Sequence, residues 1–137
     1  MAIRLSKSAA RALGVTMPKA GKRGGKSKLV SEVLRQIELA GLPKPVEEYR
    51  FHPTRKWRLD LAYPLTKPPL GIEIHGGIWL PQHGGKGRHT TAKGFMEDCV
   101  KRNELGRLGW RLIEICDVHI NSLQALKWIE DALESME

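Results

Sequence analysis

The stretch WRLDLAYPLTKPPLGIEIHGG, residues 57–77, contains the clearest pattern in this chain and decides its fold. Its first part alternates apolar and polar residues, which predicts a strand with Asp60 on the polar side. After a turn rich in Pro and Gly, a second short strand carries Glu73 and His75 on its polar side. The expected apolar sides are Trp57, Leu59, Leu61 and Tyr63 in the first strand, and Ile72 and Ile74 in the second.

The connection between the two predicted strands is short enough for a hairpin. If they pair antiparallel, the carboxylates of Asp60 and Glu73 lie side by side, because facing residues on one side of a sheet are about 5 Å apart. Two such carboxylates repel each other unless a cation lies between them. Hard oxygen ligands at that separation suit Mg²⁺ or Mn²⁺. The pair therefore indicates a divalent-metal site, although an Asp and a Glu on amphipathic strands are also typical of solvated surface positions.

Length and composition indicate one domain with a real core, since the chain has 137 residues of which 41% are hydrophobic. No run approaches the ~20 apolar residues of a membrane helix, and the N-terminus lacks the apolar core of a secretory signal. The expected location is therefore the cytoplasm. The two cysteines, Cys99 and Cys116, are far apart and form no CxxC, which argues against a zinc ribbon or a disulfide scaffold.

The net charge of +8 is concentrated at the N-terminus. Residues 1–28 contain eight Lys or Arg and no acidic residue, whereas the rest of the chain is formally neutral. Residues 1–26 are predicted to form a basic flexible arm, and residues 27–137 a single domain. Such an arm suits a polyanion, and nucleic acid is the commonest one inside cells. A solvated tail that aids solubility is the alternative. The expected DNA-binding residues of the arm are Arg4, Lys7, Lys22, Arg23 and Lys26.

Periodicity and the Gly and Pro residues predict the remaining elements. We expect a helix over residues 27–40, a strand over 47–52, a helix over 92–108, a strand over 110–116 and a final helix over 122–136. A long glycine-rich loop after the hairpin carries Lys86, Arg88 and Lys93, which suit DNA phosphates. The expected order is an αβββαβ core with an extra C-terminal helix, an α/β fold whose mixed central sheet is flanked by helices. The expected inner faces are Leu29, Val33, Leu34 and Ile37 in the first helix, Phe95, Met96, Cys99, Val100 and Leu108 in the second, and Leu123, Leu126, Ile129 and Leu133 in the last.

This order of elements, together with the acidic hairpin, resembles the PD-(D/E)XK nuclease superfamily over about residues 27–116. The similarity is greatest to archaeal-type and phage Holliday junction resolvases, and it implies a restriction-endonuclease-like core. It also implies a metal site made by a helix Glu, an Asp of the second strand and a Glu of the third. These positions correspond to Glu32, Asp60 and Glu73, and the expected cofactor is Mg²⁺ or Mn²⁺.

One position departs from the motif of the superfamily. The lysine expected two residues after the strand carboxylate is replaced by His75, in the sequence EIH. His75 is the first candidate to orient the attacking water or bind the metal. Lys101 on the second helix is the other candidate, although an ion pair with Asp98 or Glu104 one helical turn away is an equally ordinary role for it.

The resemblance implies a homodimeric, structure-selective endonuclease that hydrolyses phosphodiesters in four-way DNA junctions. Its phage members also imply a phage-encoded protein that acts in the host cell. A restriction-type or mismatch-type endonuclease would share every metal residue and differ in the DNA that it accepts. A DNA-binding module that kept the fold without catalysis is the alternative from another class. A zinc finger or HNH site is disfavoured, because no Cys or His pair has the close spacing of such a site.

Overall fold

A computed structural model of the protein describes residues 25–76 and 92–135. Within these ranges the chain is an α/β protein with an open, mixed sheet of four strands in the order β1-β2-β3-β4 and four helices. No helix of these ranges is both long and apolar enough to span a lipid bilayer. The elements are α1 Gly25–Leu39, β1 Val46–Arg50, β2 Arg58–Tyr63, β3 Leu70–His75, α2 Ala92–Arg107, β4 Arg111–Cys116, α3 Asp117–Asn121 and α4 Gln124–Glu134.

The pairing of the strands follows from the lengths of their connections. Strand β2 pairs antiparallel with both β1 and β3, which short connections allow, and Leu61 lies opposite Ile72. Strand β4 pairs parallel with β3, placing Glu114 beside Glu73. A parallel neighbour needs a crossover, and α2 lies within this one. The predicted hairpin and the mixed sheet with flanking helices are confirmed.

Helix α1 packs on one side of the sheet through Leu29, Val33 and Ile37, all of which are buried. The helix ends before Gly41, whose φ of +72° is a left-handed conformation that glycine adopts without strain. The next amide, that of Leu42, donates to the carbonyl of Ile37 at 3.1 Å. The predicted helix and its glycine end are confirmed, and they place the first turn of α1 beside the end of β3.

The two sides of the sheet bury separate apolar clusters, and β2 contributes to both. Leu61 and Tyr63 pack with α1 and α4, whereas Leu59 packs on the other side with Ala62. The prediction that Trp57 and Leu59 share one side with Leu61 and Tyr63 is therefore wrong, since Trp57 also packs on the Leu59 side. The physical reason is an irregularity in the β1–β2 ladder. Glu48 has a φ of 49°, and the pair of Glu48 with Asp60 is missing from a pairing that is regular on both sides of it.

Helix α2 shows the largest departure from the predicted inner faces. Phe95, Met96 and Val100 are 58%, 60% and 44% exposed, while Gly94 and Leu105 are buried. The side that meets the sheet also carries the partly buried Lys101. This side of the sheet contains Glu73, a buried carboxylate that needs a polar neighbour. The side of α2 that meets the sheet therefore combines the buried Leu105 with the charged contact of Lys101, and the predicted apolar side is left largely exposed.

The C-terminal region forms two helices, α3 and α4, where the sequence predicted one. Leu123 lies between them with a φ of 66°, a left-handed conformation that interrupts a helix. The inner face of α4 is as predicted, with Leu126 and Ile129 buried in the cluster under α1 and with Leu123 and Leu133 packed against it.

Candidate active site

The carboxylates of Asp60 and Glu73 meet where the β2–β3 ladder opens. The regular pairing begins at Leu61 and Ile72, and one more step of the same register places Asp60 opposite Glu73. The amide of Ile74 donates to Asp60 Oδ2 at 2.7 Å, and the amide of Asp60 lies 3.4 Å from Glu73 Oε2. Each carboxylate thus accepts a hydrogen bond from the main chain of the opposite strand. The predicted placement of the two acids side by side is confirmed.

Two lysines neutralise this acidic pair. Lys26 Nζ, from the first turn of α1, lies 2.9 Å from Asp60 Oδ1. Lys101 Nζ, from α2, contacts Glu73 Oε1 and donates to the carbonyl of Arg58 at 2.8 Å. Both acids are buried, whereas the side chain of Lys26 is 56% exposed and that of Lys101 is 19% exposed. The four groups form a compact cluster of alternating charge that is open to solvent on the Lys26 side.

Burial and the neighbouring charges change the pKa of Glu73. Burial raises the pKa of Glu73 to about 7, the Lys101 ammonium opposes the rise, and the nearby Asp60 carboxylate adds to it. A second negative charge beside Asp60 is therefore costly at neutral pH. Additional positive charge at the pair would relieve that cost, which is the condition under which a divalent cation binds.

Two different elements bring the lysines to the pair. The first turn of α1 packs directly on the end of β3, since a Cβ added at Gly76 would lie 3.7 Å from the Cα of Lys26. Lys101 reaches Glu73 because α2 turns its polar side toward the sheet. The alternative role of Lys101, an ion pair with Asp98 or Glu104, does not account for its contacts to Glu73 and Arg58.

Glu32, the expected third metal residue, has other partners. Its carboxylate accepts hydrogen bonds from the guanidinium of Arg35, the shorter at 2.8 Å, and from the amide of Gln36 at 3.3 Å. The hydrogen bond from Arg35 lowers the pKa of Glu32 against the effect of burial, and Gln36 adds to the lowering. Gln36 is itself buried and fixed by the carbonyl of Ile120.

In the described part of the chain, three acidic side chains converge closely enough for shared coordination at one place, which does not include Glu32, Asp60 or Glu73. This group lies on α4 and comprises Glu130, Asp131 and Glu134, whose ligand atoms lie within 4.8 Å of one another. Asp131 is already paired with Lys127 at 3.0 Å. Of the three acids expected to meet at the hairpin, Asp60 and Glu73 therefore lie together, whereas Glu32 is bound to Arg35 and is not part of this group.

His75 lies beside the acidic pair but points to a different partner. Its Nε2 is 3.1 Å from Glu114 Oε1, and the guanidinium of Arg102 donates to the same oxygen at 2.8 Å. Burial raises the pKa of Glu114, but the hydrogen bonds from Arg102 and His75 outweigh it, so the pKa lies below its usual range. Sequence reasoning missed Glu114, although it is the one acid in an apolar strand, as Glu73 is in β3.

The expected DNA-binding residues are only partly described. Lys26 is bound to Asp60, and Lys93 is exposed in the first turn of α2. The other expected residues, Arg4, Lys7, Lys22, Arg23, Lys86 and Arg88, lie outside the described residues.

A scan against protein-family models, a search of curated proteins and a search of solved structures each found no match. The chemistry of the Asp60–Glu73 pair and its lysines is accordingly the basis on which a function can be assigned.

Proposed function

We propose that this protein is a divalent-metal-dependent DNA endonuclease of the PD-(D/E)XK type, and specifically a Holliday junction resolvase. The observation that carries the proposal is the buried Asp60–Glu73 pair, fixed at an opening between two antiparallel strands with the Lys101 ammonium on Glu73. A purely structural ion pair does not need two carboxylates pressed together in a site where burial already opposes their charge.

The order and pairing of the elements support this assignment. The described chain runs α, β, β, β, α, β, with two antiparallel pairings followed by a parallel one. This is the arrangement expected of a restriction-endonuclease-like core. Asp60 lies on β2 and Glu73 on β3, which agrees with the positions that the resemblance implies.

The residues present fit a hard divalent cation. Asp60 and Glu73 provide carboxylate oxygens at one site, and Mg²⁺ or Mn²⁺ typically binds through one or two carboxylates and keeps several waters. Such an ion would lower the pKa of a bound water and stabilise the charge that develops on a phosphodiester. In this proposal Asp60 and Glu73 hold the cation, and Glu32, which is engaged by Arg35 and Gln36, takes no part in holding it.

Lys101 is the better candidate for the role of the motif lysine. Its ammonium lies on Glu73 itself and is held by the carbonyl of Arg58, so it is aimed at the reacting region. His75 is directed at Glu114 and, with Arg102, forms a polar group next to the site. We therefore assign orientation of the attacking water to Lys101, and we give His75, the first candidate of the sequence, the role of a neighbour that binds Glu114.

The substrate proposal follows from charge. The excess of positive charge lies in residues 1–28, and Lys26 connects this basic region with the acidic pair. Contacts to phosphates fix the position of DNA without reading its sequence, which suits an enzyme selective for the shape of a junction. A restriction-type or mismatch-type enzyme would use the same acids on linear or mismatched duplex.

The experiment that tests this function compares labelled four-way junction, mismatched duplex and fully paired duplex, each with Mg²⁺, with Mn²⁺ and with chelator. Symmetrical nicking of the junction with a divalent ion, and none with chelator, is the expected result. Preferential cleavage of a duplex would move the protein to the alternative endonuclease class. Binding of DNA without cleavage of any substrate under these conditions would favour the non-catalytic module.

The exposed stripe of α2 supports the homodimer that this activity requires. Met96 and Val100, one helical turn apart, project from the side of the helix opposite Gly94 and Leu105, and Phe95 is exposed on the flank between the two sides; a group of exposed apolar residues is typical of a protein interface. Junction cleavage needs two active sites, so we propose that a second copy of the chain covers this stripe. The isologous contact of a two-fold dimer would bring the two α2 helices together.

Met96→Glu is expected to weaken the dimer at least about tenfold, because a charge would be buried in its interface. Light scattering after size exclusion, over a range of concentrations, measures the change. Val46→Glu, at an exposed apolar position on β1, is the matched control and should leave the mass unchanged. A wild-type chain that stays monomeric at all concentrations, with and without junction DNA, would contradict the dimer.

A further inference from the structure

Lys26 holds the oxygen of Asp60 that a metal would need. Asp60 Oδ2 accepts the amide of Ile74 at 2.7 Å and is thereby committed to the main chain of β3. The other oxygen, Oδ1, is the one that Lys26 Nζ contacts at 2.9 Å. An incoming cation and the Lys26 ammonium therefore compete for the same atom.

The charges at the site show why both cannot stay. When both carboxylates are ionised, they balance the two ammonium groups, so a divalent ion added without any displacement would leave an excess of positive charge in a partly buried cluster. One ammonium must move away from the carboxylate oxygens for the ion to bind favourably.

The surroundings of the two lysines decide which one moves. Lys101 is 19% exposed and has a second acceptor, the carbonyl of Arg58, so its position is fixed twice. Lys26 is 56% exposed, and Asp60 is the partner that the structure gives its ammonium. A lysine is a point charge on a flexible four-carbon stem, so it can leave Asp60 while its backbone stays on α1.

We propose that Lys26 is a displaceable counter-ion that couples metal binding to DNA binding. Its ammonium neutralises Asp60 before metal binds, gives up Oδ1 when the divalent ion arrives, and then binds a DNA phosphate at the mouth of the site. The packing of the first turn of α1 against Gly76 keeps the released ammonium within a side-chain length of the acids. This inference rests on the proposed metal site and adds a switch to it.

The test measures binding of Mn²⁺ alone to the full chain, without DNA, by electron paramagnetic resonance of the free ion at pH 8. Lys26→Met is expected to bind Mn²⁺ about three- to tenfold more tightly than wild type, since the ion no longer displaces a partly exposed ion pair. Lys44→Met, which removes the same charge at an exposed position before β1, should change the affinity less than twofold. Lys26→Gln should reproduce the effect of Lys26→Met.

A second measurement follows the released ammonium to the DNA. With Ca²⁺ in place of Mn²⁺ to suppress cleavage, fluorescence anisotropy should show that Lys26→Met binds a four-way junction about threefold more weakly than Lys44→Met does. In the absence of divalent ion this difference between the two variants should become smaller, because Lys26 is then engaged by Asp60 and makes no contact with phosphate; the part that remains comes from the Asp60 charge that Lys26→Met leaves unpaired. A difference that is as large without divalent ion as with it would overturn the coupling.

The Mn²⁺ titrations separate this inference from the proposed function. Binding in wild type that is lost in Asp60→Asn but unchanged in Lys26→Met would leave the metal site standing and overturn the role of Lys26. Binding that is undetectable in wild type yet present in Lys26→Met would support the role of Lys26 strongly. No binding in wild type, Lys26→Met or Lys26→Gln would overturn both.

Discussion

Asp60→Asn and Glu73→Gln are each expected to reduce divalent-ion-dependent DNA cleavage by about 10³-fold or more. A metal that activates water and neutralises phosphate provides several kcal/mol of transition-state stabilisation, and a neutral amide is a much weaker ligand than a carboxylate. Both variants keep the size and shape of the side chain, so the sheet should remain intact. Single-turnover cleavage of labelled junction DNA at saturating Mg²⁺ measures the effect.

Binding of DNA should survive in both variants, because phosphate contacts come from basic residues and not from the acidic pair. The control is Asp131→Asn, which alters the acidic group on α4 and leaves the hairpin untouched. It should cleave at the wild-type rate. If Asp131→Asn lost cleavage while Glu73→Gln retained it, the metal would have to be assigned to α4 and the hairpin site abandoned.

Glu73→Gln should also make the metal-free protein more stable at pH 8, by about 1–3 kcal/mol in the free energy of unfolding. Burial raises the pKa of Glu73 from its ordinary value of 4.5 to about 7 in the folded protein. Between pH 4.5 and pH 7, Glu73 therefore keeps its proton in the folded state, whereas it has lost the proton in the unfolded state. Stability consequently falls as the pH rises from about 4.5 to about 7, and the whole cost is present above pH 7.

Glutamine carries no charge at any of these pH values, so it avoids the cost of a buried negative charge beside Asp60. The pKa of about 7 already includes the favourable ion pair with Lys101, so the expected gain is net of the loss of that ion pair. Urea unfolding in chelator at pH 8 and at pH 4.5 measures the difference, which should vanish at the lower pH because wild-type Glu73 is then largely protonated. A variant less stable than wild type at pH 8 would show that Lys101 more than compensates for burial.

The sequence was sufficient to predict the acidic hairpin, because strand alternation and a Pro-rich and Gly-rich turn are local signals. Asp60 and Glu73 could be paired once the antiparallel register was assumed. The face of α2 could not be predicted from periodicity, since the helix has apolar residues on one side and must still present Lys101 to a buried acid. Leu59 was misplaced because nothing local marks the irregular step at Glu48.

The remaining parts of the site depend on how distant elements pack. Lys26 reaches Asp60 only because α1 lies over the end of β3, and no local pattern encodes that crossing. Glu114 meets His75 only through the register of the parallel β3–β4 pair. Glu32 has Arg35 three residues later, at the spacing of a helical ion pair. This spacing could have predicted that Glu32 would pair with Arg35.

The exchange of hydrogen bonds across the hairpin has a consequence for a newly synthesised chain. Asp60 and Glu73 each take a hydrogen bond from the main chain of the opposite strand, so the arrangement of the acids exists only after that hairpin has closed. In a nascent or unravelled copy they are two ordinary, solvated carboxylates with no shared geometry. In the proposed nuclease, the pair of acids that would hold the metal therefore forms in the same event as the sheet, and a misfolded copy would lack it.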